Sequence, residues 1–128
     1  MPSDRKILIT GLTGQIGHPV ASFLARDNEV WGVARYSAAG SRERAEAIGI
    51  HPHVADLETG DYGDLPTDFT HLVHFAAWQG PAPDFDRAMR ANAEATGLLM
   101  AHCRHAEAAL IASTNTVYRP NEDPWHAY

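Results

Sequence analysis

A strand that runs into three glycines and then straight into a helix leaves a chain few choices of fold. Residues 6–19, Lys-Ile-Leu-Ile-Thr-Gly-Leu-Thr-Gly-Gln-Ile-Gly-His-Pro, have that form. The apolar run Ile7-Leu8-Ile9 reads as a buried strand. Gly11 would let the chain turn sharply off the strand, and Gly17 would let the new helix pack closely. Gly14 would let the backbone approach a pyrophosphate with no Cβ in the way. The spacing is G-x-x-G-x-x-G, not the more familiar G-x-G-x-x-G. Strand, glycine turn and helix in that order place a helix N-terminus against a phosphate, so a dinucleotide site is the expectation. A purely steric glycine turn is the bland alternative.

The pattern repeats along the chain. Strands are expected over residues 6–10, 29–35, 50–55, 71–77 and 108–113. Helices are expected over 15–26, 41–48 and 84–105. Ile16, Val20, Phe23 and Leu24 share one face of the first helix, and Pro19 sits near its first turn. Ser41 is the expected N-cap of the second helix and Gly49 its C-cap. In the longest helix Met89, Ala93, Leu99 and Met100 are the expected buried positions, with Gly97 as a weak spot that permits close packing. Residues 60–68 and 79–83 read as turns and loop, and 114–128 as an irregular tail. Five strands alternating with helices give an α/β fold with a parallel sheet covered on both faces. Right-handed crossovers favour the order 3-2-1-4-5. A ligand is then expected at the carboxyl ends of the strands.

At 128 residues the chain reads as one domain, residues 1–128, with no repeat and no linker. A net charge of −6 argues against a nucleic-acid partner. Cys103 is the single cysteine, which excludes an intrachain disulfide and fits a reducing compartment. No stretch has transmembrane length and the N-terminal apolar run is too short for a signal peptide. A cytoplasmic protein without a membrane partner is expected. The eight histidines raise the question of a metal. His51 and His53 share a strand face, His71 and His74 point to opposite faces, and His102 and His105 lie three apart on a helix. No acidic or cysteine partner stands near any pair, so no metal site is expected.

Five segments, in order, resemble the extended short-chain dehydrogenase/reductases, the NAD-dependent epimerase/dehydratase family. They are Thr10-Gly11-Leu12-Thr13-Gly14-Gln15-Ile16-Gly17, Ala55-Asp56-Leu57, His74-Phe75-Ala76-Ala77, the stretch from Asn92 to Leu99, and the stretch from Ala112 to Tyr118. The fourth carries Ala95 where the family has glycine, and the last is followed by Arg119 where the family again has glycine. The resemblance implies a Rossmann-type fold and a role for each matching position. Backbone amides around Gly14, Gln15 and Ile16 would hold the pyrophosphate, within a turn shaped by Gly11, Thr13 and Gly17. Asp56 would accept from the adenine amino group, with Leu57 beside the ring. Ala76 and Ala77 would pass under the ribose. Asn92 would be a structural or proton-relay residue. Thr114 would hydrogen-bond the reacting oxygen, with Ser113 as the alternative. Bland readings stand beside these: Asp56 as a turn residue and Thr114 as a hydroxyl completing a loop.

The end of the second strand carries the cofactor choice. An acid there would hold a ribose 2′-OH, whereas this chain has Ala34-Arg35. An arginine can pair with a 2′-phosphate, so NADP is expected ahead of NAD, with Arg42 and Arg44 adding charge. The family's chemistry also uses a Y-x-x-x-K helix after the fifth strand. Tyr128, following Glu122-Asp123-Pro124, is a candidate for its tyrosine, although no residue follows to supply the lysine. The chain is therefore expected to be the cofactor-binding part of such an oxidoreductase, with the C-terminal part of the family fold and its substrate domain missing. The substrate class implied is a nucleotide-sugar or a small carbonyl or alcohol. A non-catalytic dinucleotide-binding module or redox sensor is the alternative. A fifth strand left at the sheet edge leads to an expectation of self-association, as a homo-oligomer, or of a mobile tail.

Overall fold

The structure is a computed structural model that describes residues 3–80 and 84–114. Strands β1 (Lys6–Thr10), β2 (Glu29–Ala34), β3 (Ile50–Val54), β4 (His71–His74) and β5 (Ala108–Ile111) form one parallel sheet in the order 3-2-1-4-5. β1 is central, pairing Ile7 with Val30 on one side and with His71 on the other. It is buried on both faces, which is why its sequence is a continuous apolar run and not an alternating one.

Alternation along β1 divides the core in two. Ile7 and Ile9 point to the layer of helices α1 (Gly17–Leu24) and α2 (Ser41–Ala47), where they join Leu12, Ala21, Val30, Ala45 and Ile50. Leu8 points the other way, to Val33, Phe69, Leu72, Leu99 and Cys103. The second layer is supplied by helix α4 (Ala95–His102), which continues a short α3 (Phe85–Ala88) through a π-helical segment, Met89–Glu94.

The long helix departs from expectation in its buried face. Leu99 is fully buried, but Ala93 is exposed and Met89 and Met100 are 44% and 47% exposed. The buried residues are Ala91, Ala95, Leu99 and Cys103, one every four positions. The π-helical segment widens the turn, so a face extrapolated at 3.6 residues per turn from Met89 rotates away from the sheet. Gly97 is not a packing contact either: among the described residues, a Cβ placed there meets no atom within 4 Å. Asp84 caps the start of α3 by accepting from the Arg87 amide at 3.1 Å.

Helix α2 is also capped differently. Gly40, in the left-handed region at φ +72°, is the N-cap, and Ser41 is the buried first helical residue. Its hydroxyl turns back to donate to the Ala38 carbonyl at 2.7 Å. The C-cap is Ile48, not Gly49, and Gly49 follows it in the left-handed region at φ +83°. β1 has the expected bounds, whereas α1, α2 and the other four strands are shorter than expected by one to three residues at one end or both, the usual fate of boundaries drawn from pattern alone. Arg35 thereby falls just past β2. Pro52 lies within β3, which is allowed because β3 is an edge strand and the missing amide faces no neighbour.

Candidate functional site

The turn after β1 is crowded, and its crowding dictates glycine. Gly11 has φ +70°, and a Cβ there would lie 2.7 Å from the Ala76 nitrogen. A Cβ on Gly17 would collide with the Gly11 carbonyl group, whose carbon it would approach to 2.7 Å. Gly17 therefore lets α1 rest on the turn itself. Ile16 precedes α1 and provides no side-chain cap to its first amides. The His18 amide donates to the Gly14 carbonyl at 3.1 Å and Pro19 has no N–H, so the anion-receptive character of this end rests on the helix dipole.

Around this turn the carboxyl ends of four strands enclose a cavity of about 470 Å³. β1 contributes Gly11, Thr13 and Gly14, and β2 contributes Val33, Ala34, Arg35 and Tyr36. The turn after β3 brings Ala55, Asp56, Leu57 and Glu58, and that after β4 brings Phe75, Ala76, Ala77 and Trp78. Ser41 and Arg44 of α2 close one side. A second cavity of about 280 Å³ adjoins it, lined by Thr13, Gly14, Gln15, His18 and Arg44 among others. Both volumes lie at or near the usual range for small-molecule sites.

The walls carry both signs of charge. Arg35 and Arg44 face the β2 side, and Asp56 and Glu58 the β3 side. Asp56 is also a turn residue: its Oδ1 accepts from the Glu58 amide at 3.0 Å. Arg42 lies elsewhere, paired with Glu46 along α2 at 3.2 Å. Tyr36 stands at φ +50°, a conformation uncommon for a residue with a Cβ. Its hydroxyl donates to the Gly32 carbonyl at 2.7 Å, and burial pushes its pKa up to about 12, so it remains neutral.

Beneath the cavity lies a buried polar cluster. Thr10 Oγ1 and His74 Nδ1 are 2.6 Å apart, and Thr10 Oγ1 also accepts from the Ala76 amide at 3.2 Å. Asn92 holds Trp78 at both backbone groups, accepting from its amide at 2.7 Å and donating to its carbonyl at 3.0 Å. The Trp78 ring lies under the Arg87 guanidinium, 5.1 Å from ring centre to Cζ, and Arg87 reaches Glu58 at 3.6 Å.

Of the residues singled out in the sequence, Gly11, Thr13, Gly14, Arg35, Asp56, Leu57, Ala76 and Ala77 line the main cavity, and Gln15 lines the adjoining one. Ile16 ends the turn and Gly17 opens α1, and neither lines either cavity. Asn92 lines neither cavity and holds the backbone of Trp78. Ser113 and Thr114 follow β5, whose ladder extends to Ala112, its amide donating to the His74 carbonyl at 2.9 Å, and neither lines the cavity. Tyr128 lies outside the described residues. The histidines are scattered: His102 contacts the Pro66 carbonyl and His53 that of Tyr62. Among the described residues no three potential metal ligands converge. Sequence reasoning missed Tyr36, Trp78 and Thr96. A tryptophan directly after the Ala76-Ala77 pair was a signal available for Trp78.

Comparison with known proteins adds family to geometry. Residues 7–127 match the NAD dependent epimerase/dehydratase family. A GDP-mannose 4,6-dehydratase from Vibrio cholerae is 41% identical over 71 residues, which are 54% of this chain and 19% of that protein. A UDP-glucuronic acid 4-epimerase from Bacillus cereus, solved in complex with NAD, superposes with a TM-score of 0.75 at 23% identity, over 91% of this chain and 42% of its own. A UDP-N-acetylglucosamine 4-epimerase from Methanobrevibacter ruminantium, solved in complex with UDP-N-acetylmuramic acid, gives 0.74 at 22% identity, over 96% and 42%. At such identities the two structures speak for the Rossmann fold alone. The chain spans less than half the length of these relatives. Its sequence, matched along nearly its whole length, makes it a member of the NAD dependent epimerase/dehydratase family.

Proposed function

We propose that this chain is the dinucleotide-binding portion of an epimerase/dehydratase-type oxidoreductase. The observation that carries this reading is the cavity itself, formed where four parallel strands end around a glycine turn too tight for any Cβ at Gly11 or Gly17. A bound nicotinamide dinucleotide would supply reversible hydride transfer at C4 of its ring. The protein's own residues bind and orient. The amides of Gln15 and Ile16, beside the N-terminus of α1, receive the pyrophosphate, while that of Gly14 closes the turn by donating to the Gly11 carbonyl at 3.1 Å. Asp56 accepts from the adenine amino group while Leu57 covers the ring. Ala76 and Ala77, having no bulk, leave room for a ribose. Thr114, or its neighbour Ser113, hydrogen-bonds the reacting oxygen of a nucleotide-sugar or a small carbonyl or alcohol. Tyr128 is the remaining candidate for the proton-transferring group. The site belongs in the cytoplasm, where reduced thiols such as that of Cys103 persist.

Arg35 directs the preference to NADP. It lines the cavity past β2, where it can pair with a 2′-phosphate, and Arg44 stands on the same side. Calorimetric titration of the chain with NADP and then NAD tests both parts. NADP should bind more tightly, and Arg35→Ala should weaken NADP by roughly tenfold or more while leaving NAD unchanged. Equal affinities that ignore the substitution would remove the NADP preference. Failure of both dinucleotides to bind would remove the function.

A further inference from the structure

The hydrogen bonds around His74 form a chain whose direction is fixed at both ends. At one end the Ala76 amide can only donate, and it donates to Thr10 Oγ1. At the other the Asn92 carbonyl can only accept, and the Thr96 hydroxyl donates to it at 2.7 Å. His74 stands between, with Nδ1 2.6 Å from Thr10 Oγ1 and Nε2 3.0 Å from Thr96 Oγ1. A hydroxyl has a single proton to donate. That of Thr96 is already given to Asn92, so the imidazole must donate from Nε2. A neutral ring that donates from Nε2 accepts at Nδ1, and Thr10 therefore donates to Nδ1. An added proton on Nδ1 would face the Thr10 hydroxyl and force its proton away from its only partner in the chain. Burial opposes that charge as well and lowers the pKa of His74.

The chain returns to where it started. Asn92, whose carbonyl ends it, uses its side chain to hold the amide and carbonyl of Trp78. Ala76 and Trp78 both line the cavity. Thr10 is the last residue of β1, His74 the last of β4, Asn92 is in the π-helical segment and Thr96 in α4. Residues on four elements thus grip one three-residue stretch of backbone.

We infer that His74 is a positioning residue, locked as the neutral Nε2–H tautomer, that fixes residues 76–78 beneath the cavity by tying β1 to the π-helical segment. Its value to cofactor binding rests on the function proposed above, but the tautomer and the grip do not. Long-range proton–nitrogen NMR on the 128-residue chain reads the tautomer directly, and should show Nε2–H. Amide exchange then reads the grip in two variants. Thr96→Val removes the acceptor, and the Ala76 and Trp78 amides should exchange roughly three- to tenfold faster while Ile9 keeps its protection. Thr96→Ser keeps the hydroxyl and should restore both. Dinucleotide affinity should fall and recover in the same two variants. An Nδ1–H or doubly protonated ring at neutral pH would overturn the inference, as would unchanged exchange at Ala76 and Trp78 in Thr96→Val. If the wild-type chain takes no dinucleotide, the proposed function fails, and the exchange result still decides the role of His74.

Discussion

Cys103 and His74 are both kept uncharged by burial, and they limit stability from opposite ends of the pH scale. Burial pushes the Cys103 thiol up to about 11 from an ordinary 9.0. Between those values the unfolded chain loses a proton that the folded chain keeps, so stability falls as pH rises. Tyr36 adds the same trend between 10.0 and about 12. His74 has the opposite sign. Its folded pKa lies below the ordinary 6.5, so its contribution is complete above 6.5 and is lost as pH falls through the folded value. Thermal melts across pH should therefore peak between these limits, and Cys103→Ala should flatten the decline between pH 9 and 11. A wild-type melting temperature that stays level to pH 11 would contradict this account. At this scale the sequence was legible where one residue's shape decides the matter, as at Gly11 and Gly17. Tyr36 and Thr96 were not legible, because a positive φ and a hydroxyl aimed at a histidine depend on where neighbouring elements come to rest.

The long helix shows how an element can be right in extent and wrong in face. In the structure Asp84 caps its start, and its overall span follows the expected one closely. The buried stripe did not, because the π-helical segment shifts the phase before α4 begins. Gly97 illustrates the consequence. It sits on the exposed side of α4, where a methyl group meets no atom within 4 Å among the described residues. Gly97→Ala should stabilise the protein by about 0.5–1 kcal/mol through backbone entropy alone. A thermal melt should rise by roughly 2–5 °C. A lower melting temperature would mean that Gly97 has a role the packing does not reveal. The alternation of strands and helices was the most legible feature of all, since period and length both separate the two kinds of element.

For the molecule as a whole, the two edges of the sheet differ. β3 carries Pro52 and two histidines, which discourage pairing with another strand. β5 carries no such guard: all of Ala108–Ile111 is exposed, with Leu110 at 51%. Self-association through this edge is the expected result, and sedimentation of Leu110→Lys should show a shift toward monomer relative to wild type. A wild-type chain that sediments as a monomer at high concentration would refute it. The sheet order was legible from connection rules, but which surfaces stay open was not, since that depends on helices actually present on each face. The central place of β1 has one more consequence. Its second neighbour is β4, and Thr10 meets His74 only across 64 residues of intervening chain. On a ribosome adding about 5–20 residues per second, the nascent β1 waits roughly 3–13 s with one side unpaired. The first strand made is thus among the last to be completed, and a stalled message in that interval would leave the most apolar segment of the chain open to chaperones or to a neighbouring nascent copy.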